Sequence, residues 1–352
     1  VINLYSTQID QLSIHRVGNK SRAEGLFLSA TPCQMNDELH ALLKEYFFKP
    51  FREKDEDYLR FAHEVDLEFH TLQQLVKRAF AKQENFTNIA QDITRCLYEQ
   101  SDHPHIKGGE VYVTYLEGIV HDNEKVDGIG IFKSELTQDF LQFDQGETQL
   151  VPRLEQGINL SKLDKGALIL NVDGEDGFKL LSVDSNRYDT RYWLERFLGA
   201  EPLADENFKT KHYLKMCQDF ARQVVLPAED KKEEVLFMNR AVNHFAKNDT
   251  FEETQFMNDV IENPDLIPEF RHFKTEQAPK YKIEDLTTFP IANTAVTAAR
   301  KKIRNTIELD TNIQIKMDFI NPESAERFVE KGWDEEKQMY YYLVYFNQER
   351  KS

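Results

Sequence analysis

The stretch GGEVYVTYLEGIVHDNEKVDGIGIFK, Gly108 to Lys133, is where the hydrophobic period of this chain changes from 3.6 to 2. Val111 to Gly118 and Gly128 to Phe132 read as strands of one hairpin, joined through His121, Asp122 and Asn123, residue types that accept tight-turn backbone. A second hairpin follows at Ala167 to Val172 and Phe178 to Val183, closed by the acidic, glycine-bearing turn Asp173 to Gly177. Upstream, Val1 to Ile14 and Gly25 to Ala30 read as strands separated by the turn signal at Gly18 and Asn19.

Helical spacing surrounds these strands. Asn36 is placed to cap a short helix carrying Leu39, Leu42, Leu43 and Phe47 on one face. Phe61, Ala62, Val65, Phe69, Leu72, Val76, Ala79 and Phe80 predict a long helix over Asp57 to Lys82. Acids at Asp55, Glu56 and Asp57, with Lys77, Arg78 and Lys82 at the far end, suit its dipole. Ile89, Ile93, Cys96 and Leu97 mark another helix, and Tyr192 to Gly199 a short one ended by glycine. Residues 206–306 read as helical, punctuated by Pro227, Pro264, Pro268, Pro279 and Pro290. The chain then closes with a strand placing Ile313, Ile315, Met317 and Phe319 on one face, a short helix at Ala325 to Val329, and an aromatic strand at Met339 to Phe346. The expected class is α+β. Helices and antiparallel hairpins form an N-terminal lobe (1–205), and a mostly helical C-terminal lobe (206–352) closes with two strands.

With 352 residues, 40% hydrophobic and 30% charged, the chain can bury a sizeable core without metals or disulfides. No run of eighteen apolar residues exists, and the first residues lack the basic and apolar regions of a signal peptide. A cytoplasmic chain without membrane contact is therefore expected. Cys33, Cys96 and Cys217 are far apart, odd in number and set among apolar residues, which predicts buried, reduced thiols.

The net charge of −17 opposes nonspecific attraction to a polyanion, so its distribution matters. Residues 111–205 hold 9 basic and 18 acidic side chains, whereas residues 291–352 are balanced at 10 of each. Within that balanced end, Ala295 to Thr306 contains Arg300, Lys301, Lys302 and Arg304 and no acid. On a helix Val296, Ala299 and Ile303 would face the core and the cations would project outward, where they could meet phosphates. Lys211, Lys215, Gln218 and Arg222 form a second basic stripe, opposite Tyr213, Cys217, Phe220 and Val224. An ordinary solvated helix face is the structural alternative for both.

Enzymatic patterns fail on spacing. His63-Glu64 lacks a histidine at position 67, which is Leu67, and His70 lies two turns away. Counting a calcium loop from Asn171 puts Asp176 and Ser182 where glycine and glutamate belong. His103 and His105 have no neighbouring cysteine. Asp127 and Lys133 suggest a nuclease strand, but the acid required two residues before the lysine is Ile131. No catalytic residue, metal or cofactor is expected.

Several stretches together are similar to a known family. Ile14 to Val17 with Gly25 to Ser29, the segment YWLERFLGA (Tyr192 to Ala200) and the closing IELDTNIQIKMDF (Ile307 to Phe319) resemble, in this order, the bacterial nucleoid-associated proteins of the NdpA/YejK type. The resemblance implies a cytoplasmic protein of the nucleoid that binds DNA, with no established catalytic residues. DNA contacted with little sequence specificity by Arg300, Lys301, Lys302, Arg304, Lys211, Lys215 and Arg222 is thus the expected partner. The alternative is an adaptor whose acidic middle binds a DNA-handling protein.

Overall fold

A computed structural model describes residues 2–52, 57–82, 84–185, 191–228, 230–303, 306–317 and 328–348. The chain divides into two compact units, Val1–Leu203 and Ala204–Ser352. The class is α+β with antiparallel sheets, as the alternation and helical spacing predict.

The first unit runs through β1 (Ile2–Asn3), β2 (Gln8–Val17), β3 (Leu26–Phe27), α1 (Asp37–Arg52), β4 (Leu59–Phe61), α2 (Thr71–Phe80) and α3 (Phe86–Glu99). It continues through β5 (Gly109–His121), β6 (Glu124–Ser134), β7 (Thr137–Gln145), β8 (Leu150–Ile158), β9 (Lys165–Leu170), β10 (Lys179–Asp184) and β11 (Ala200–Pro202). Nine of these strands form one sheet in the order β11-β4-β10-β9-β6-β5-β2-β3, with β1 pairing on β5. The turn between β5 and β6 has both Asp122 and Asn123 at positive φ, 47° and 70°, the backbone that a two-residue hairpin requires.

Both faces of this sheet are covered. Val111, Val113, Tyr115, Ile129 and Ile131 pack with Leu72, Val76, Ile89 and Ile93 of α2 and α3. The alternate residues Tyr112, Leu116 and Phe132 pack with Leu43, Phe47, Phe48 and Phe51 of α1. Phe47 stacks on Phe132 with ring centroids 4.2 Å apart. Period-2 alternation in β5 therefore separates two cores rather than a core from solvent. Asn36 caps α1 as expected, its Oδ1 accepting from Leu39 N at 2.8 Å, but the buried face of α1 rotates to Leu43, Tyr46, Phe47, Phe48 and Phe51 and leaves Leu42 exposed.

The long helix expected over Asp57 to Lys82 does not form as one element. Its first part is the strand β4, where Leu59 pairs with Leu180 and Phe61 with Ala200. Asp66 then caps a 3-10 turn at Leu67–Phe69, and His70 caps α2 by accepting from Gln73 N at 3.1 Å. Long-range pairing with β10 and β11 overrides a local spacing that happened to fit a helix. Val65 and Phe69, placed on the apolar stripe by that spacing, are exposed, and Asp55 and Glu56 lie outside the described residues. The predicted glycine stop at Gly199 is present, at φ 54°, after a π-helical turn at Arg191–Phe197.

The thiol expectation is corrected in part. Cys217 is buried, while Cys33 and Cys96 are half-buried. Cys33 follows Pro32 in irregular chain, and Cys96 sits on the flank of α3 beside the buried Leu97. Burial pushes the Cys217 and Cys96 thiols up.

The second unit contains α4 (Glu206–Phe220), which widens into a π-turn at Ala221–Val225 and continues as α5 (Leu226–Ala228). Next come α6 (Lys231–Lys247), β12 (Thr250–Glu252), α7 (Glu253–Val260), α8 (Leu266–Tyr281), β13 (Thr288–Pro290) and α9 (Asn293–Lys302). The chain ends in β14 (Thr306–Glu308), β15 (Gln314–Lys316), β16 (Val329–Asp334) and β17 (Met339–Val344). Its helices close around an aromatic core that includes Tyr213, Phe220, Phe245, Phe251, Phe256 and Phe270. The closing segments are two ribbons, β14 with β15 and β16 with β17, in place of two long strands. Asn312 at φ 61° turns the chain back, so Met317 is buried, Ile315 half-buried and Ile313 exposed. Val329 begins β16; Phe319 and Ala325 lie outside the described residues.

Candidate nucleic-acid interface

The basic stripes read from the sequence fall on two helices of the second unit that pack side by side, α4 and α9. Their N-terminal ends meet: Ala292 N donates to Thr210 Oγ1 at 3.0 Å, and Thr294 Oγ1 lies 3.2 Å from Asn207 Oδ1. On α9, Val296 is buried and Ala299 and Ile303 pack partly against the core, as the spacing predicts. This leaves Arg300, Lys301 and Lys302 exposed in the last turn. Cations there complement the helix dipole, which is sufficient reason for one of them. Among the described residues, Arg300 and Lys301 have no carboxylate partner. Arg304 lies outside the described residues.

On α4, Asp205 supplies the cap, accepting from Phe208 N at 2.8 Å, and Tyr213, Cys217 and Phe220 turn inward. Lys211 follows Asn207 by one turn, on the flank that meets α9, and is half-buried; Lys215 and the π-turn residue Arg222 are exposed. Asp219, one turn after Lys215, interrupts this face. Its burial pushes the carboxyl up, but hydrogen bonds from Tyr281 and Lys280, with the charges of Lys280 and Lys215, hold it below the ordinary carboxylate range. Lys280 Nζ stands 3.4 Å from Asp219 Oδ2 and is itself exposed. Lys280 is a cation beside the α4 stripe that reading the sequence missed, because it arrives on α8, 61 residues along the chain from Asp219.

Of the residues suspected of metal or nuclease chemistry, His70, Asp127, Asp173 and Glu175 make contacts within the scaffold. His70 caps α2, its Nε2 lying 3.1 Å from Gly199 O, and burial lowers its pKa; His63 is exposed and on no helix. His103 and His105 share an exposed loop. Glu175 and Asp173 of the β9–β10 turn pair with Lys77 at 2.8 Å and Lys179 at 3.2 Å. Asp127 accepts from Tyr115 Oη at 2.6 Å, six residues along β6 from Lys133 and so roughly 20 Å from it.

Lys133 belongs to a buried cluster that spacing alone did not reveal. It faces Lys165 across β6 and β9, and Lys165 in turn faces Asp184 on β10. Lys133 Nζ contacts Glu135 Oε1 at 2.9 Å and Lys107 O at 2.6 Å, while Lys165 Nζ contacts Asp184 Oδ1 at 2.9 Å. The Tyr192 ring lies 5.5 Å from both ammonium groups. Burial lowers the Lys133 pKa against the pull of Glu135, and burial with the Glu135 charge raises that of Tyr192. Asp164 Oδ2 accepts from Glu135 N at 2.7 Å and Leu136 N at 3.2 Å, pinning the exit of β6. Both lysines are sealed from solvent, and the cluster ties three strands together. Nearby, Glu24, Glu110 and Glu135 with a single arginine, Arg16, line a cleft of about 440 Å³, a charge balance unsuited to phosphate. Among the described residues no group of three His, Cys, Asp or Glu side chains could hold a metal ion. Nor is any described helix long and apolar enough to cross a membrane.

A family model described as nucleoid-associated protein YejK matches residues 13–340. The chain belongs to this family. The match covers both units and so gives the YejK-family member a nucleoid-associated role. No curated protein matches the chain.

Proposed function

We propose that this YejK-family protein binds duplex DNA through its phosphates, with little sequence preference and without catalysing a reaction on it. The carrying observation is that two basic stripes some eighty residues apart in sequence, Lys211, Lys215 and Arg222 on one side and Arg300, Lys301 and Lys302 on the other, lie on adjacent helices. Arg304 extends the second stripe in sequence. Cations on helix faces can reach phosphates, and phosphate contacts hold a protein on a duplex without reading its sequence.

Binding to a duplex across a salt series is the test. Each phosphate neutralised contributes about 0.9 to the slope of log affinity against log salt. Neutralising Arg300, Lys301, Lys302 and Arg304 together is expected to weaken binding and flatten that slope by roughly three units, with the fold retained. An unchanged slope in the folded variant would remove α9 from the interface and leave Lys211, Lys215 and Arg222 to be tried. Plasmid incubated with the protein and magnesium or manganese is expected to stay intact; nicking abolished by Asp127→Ala would reverse the non-catalytic reading.

The adaptor reading rests on the charge of the first unit, which holds 22 basic and 34 acidic side chains, net −12. It predicts negligible DNA affinity near physiological salt and capture by a basic surface on a DNA-handling protein.

A further inference from the structure

Asp219 is an anion set in a row of cations. It follows Lys215 by one turn of α4 and precedes Arg222 by one, so the three lie on one face. The C-terminal end of α8 meets α4 at this point. Tyr281, the last residue of α8, is buried in the core of the second unit, and its hydroxyl donates to Asp219 Oδ2. Lys280 Nζ lies 3.4 Å from the same oxygen and 3.1 Å from Tyr281 Oη. The two donors differ in freedom. Burial fixes the phenol, whereas the Lys280 side chain is 56% exposed. The Lys215 charge also acts on this carboxyl. An ammonium group beside an anionic oxygen, with a second ammonium near it, is how lysines meet a phosphate.

We propose that Lys280 joins Lys215 in contacting a DNA phosphate, and that Asp219, held by the buried Tyr281 hydroxyl, competes with that phosphate for Lys280. The inference rests on the DNA-binding reading and gives that interface a third helix and a built-in competitor. In the free protein Asp219 stands where a phosphate oxygen would stand. Lys280 counts towards binding only when a phosphate takes it from Asp219. The exchange costs little, since an ion pair this exposed adds little to stability and the Tyr281 hydroxyl stays with the carboxylate. The result is a brake on affinity, set by the tie between α4 and α8.

Titration of a short mixed-sequence duplex across a salt series tests it, with the full chain and folded variants. Asp219→Asn keeps an acceptor for Tyr281 and removes the charge. It is expected to steepen the slope of log affinity against log salt by about 0.9, which is about fivefold tighter binding near physiological salt. With Lys280→Gln already present, Asp219→Asn should gain less than about twofold, because no cation is released. An acid that merely repels the duplex would give at least as large a gain there, and that result overturns the inference. Lysine acylation of the wild type, read by mass spectrometry, gives a second measurement that needs no variant. Duplex is expected to protect Lys280 and Lys215, and to leave the exposed Lys49 of α1 reactive. Lys280 left unprotected in a complex that forms overturns the inference and spares the DNA-binding reading. Failure of both the wild type and Asp219→Asn to bind the duplex overturns the two together.

Discussion

The β5–β6 and β7–β8 hairpins are consecutive along the chain, both antiparallel and both period-2, yet their surroundings are opposite. In the first, both faces are apolar, and α1 covers one while α2 and α3 cover the other. In the second, Leu141, Phe143, Leu150 and Leu154 on one face and Phe140 and Val151 on the other stay exposed, and no described helix of the first unit takes them from solvent. The same residue types, leucine and phenylalanine, are structural in one hairpin and available in the other. Strand formation and core membership are separate decisions, the second made by whatever arrives from elsewhere in the sequence.

The sharpest way to break this contrast is to truncate one phenylalanine in each hairpin. Phe132→Ala removes a ring fully buried against Phe47 and should cost about 3–5 kcal/mol of unfolding free energy, read by denaturant titration. Phe143→Ala should move the stability of the monomer by less than about 0.5 kcal/mol. Equal costs would mean that the second hairpin is also part of the core.

Glycine substitutions sharpen the comparison at smaller scale. A Cβ at Gly130 in β6 would stand 2.5 Å from both the Phe132 ring and Thr114 Oγ1, so Gly130→Ala should destabilise by roughly 1–3 kcal/mol. At Gly157 in β8 the obstacle is the ring of Phe140, 2.9 Å away but half exposed and able to swing aside. Gly157→Ala should therefore be close to neutral in the same titration.

The covered sheet also carries a pH liability. His15 on β2 is buried beside β5; burial, with the charge of Arg95, lowers its pKa to about 4, and its Nδ1 accepts from Ser29 N at 3.1 Å. The folded state holds it neutral while the unfolded chain protonates it near 6.5, so stability falls as pH drops through that window towards 4. The loss should be on the order of 2 kcal/mol by pH 5, and His15→Gln should reduce the pH dependence. A slope between pH 7 and 5 that is the same in both proteins would assign the acid sensitivity to other groups.

Much was legible in local spacing. Alternation located the β5–β6 and β9–β10 hairpins, Asp122 and Asn123 marked a turn of positive φ, Asn36 marked the cap of α1, and Gly199 marked the end of a helical turn. The inward set of α4, namely Tyr213, Cys217 and Phe220, and the outward Arg300 and Lys301 of α9 followed from 3.6-residue spacing, because a helix face is a property of neighbouring residues. The region around Phe61 was misread for the converse reason: its strand exists only because Leu180 and Ala200 come to pair with it. The β7–β8 hairpin escaped notice, its alternation being diluted by residues such as Phe140 and Val151 on the polar face.

By itself, then, the sequence determined the element types wherever one period ran unbroken, the inward and outward faces of the long helices, and the membership of the YejK family. Tertiary structure alone decided which faces lost water. It sealed Lys133 and Lys165 in the sheet, set Lys280 against Asp219, brought α4 against α9, and left Leu141, Phe143, Leu150 and Leu154 outside. The division is physical. Periodicity depends on backbone geometry, which extends over a few residues, whereas burial depends on packing partners that can lie anywhere in the chain.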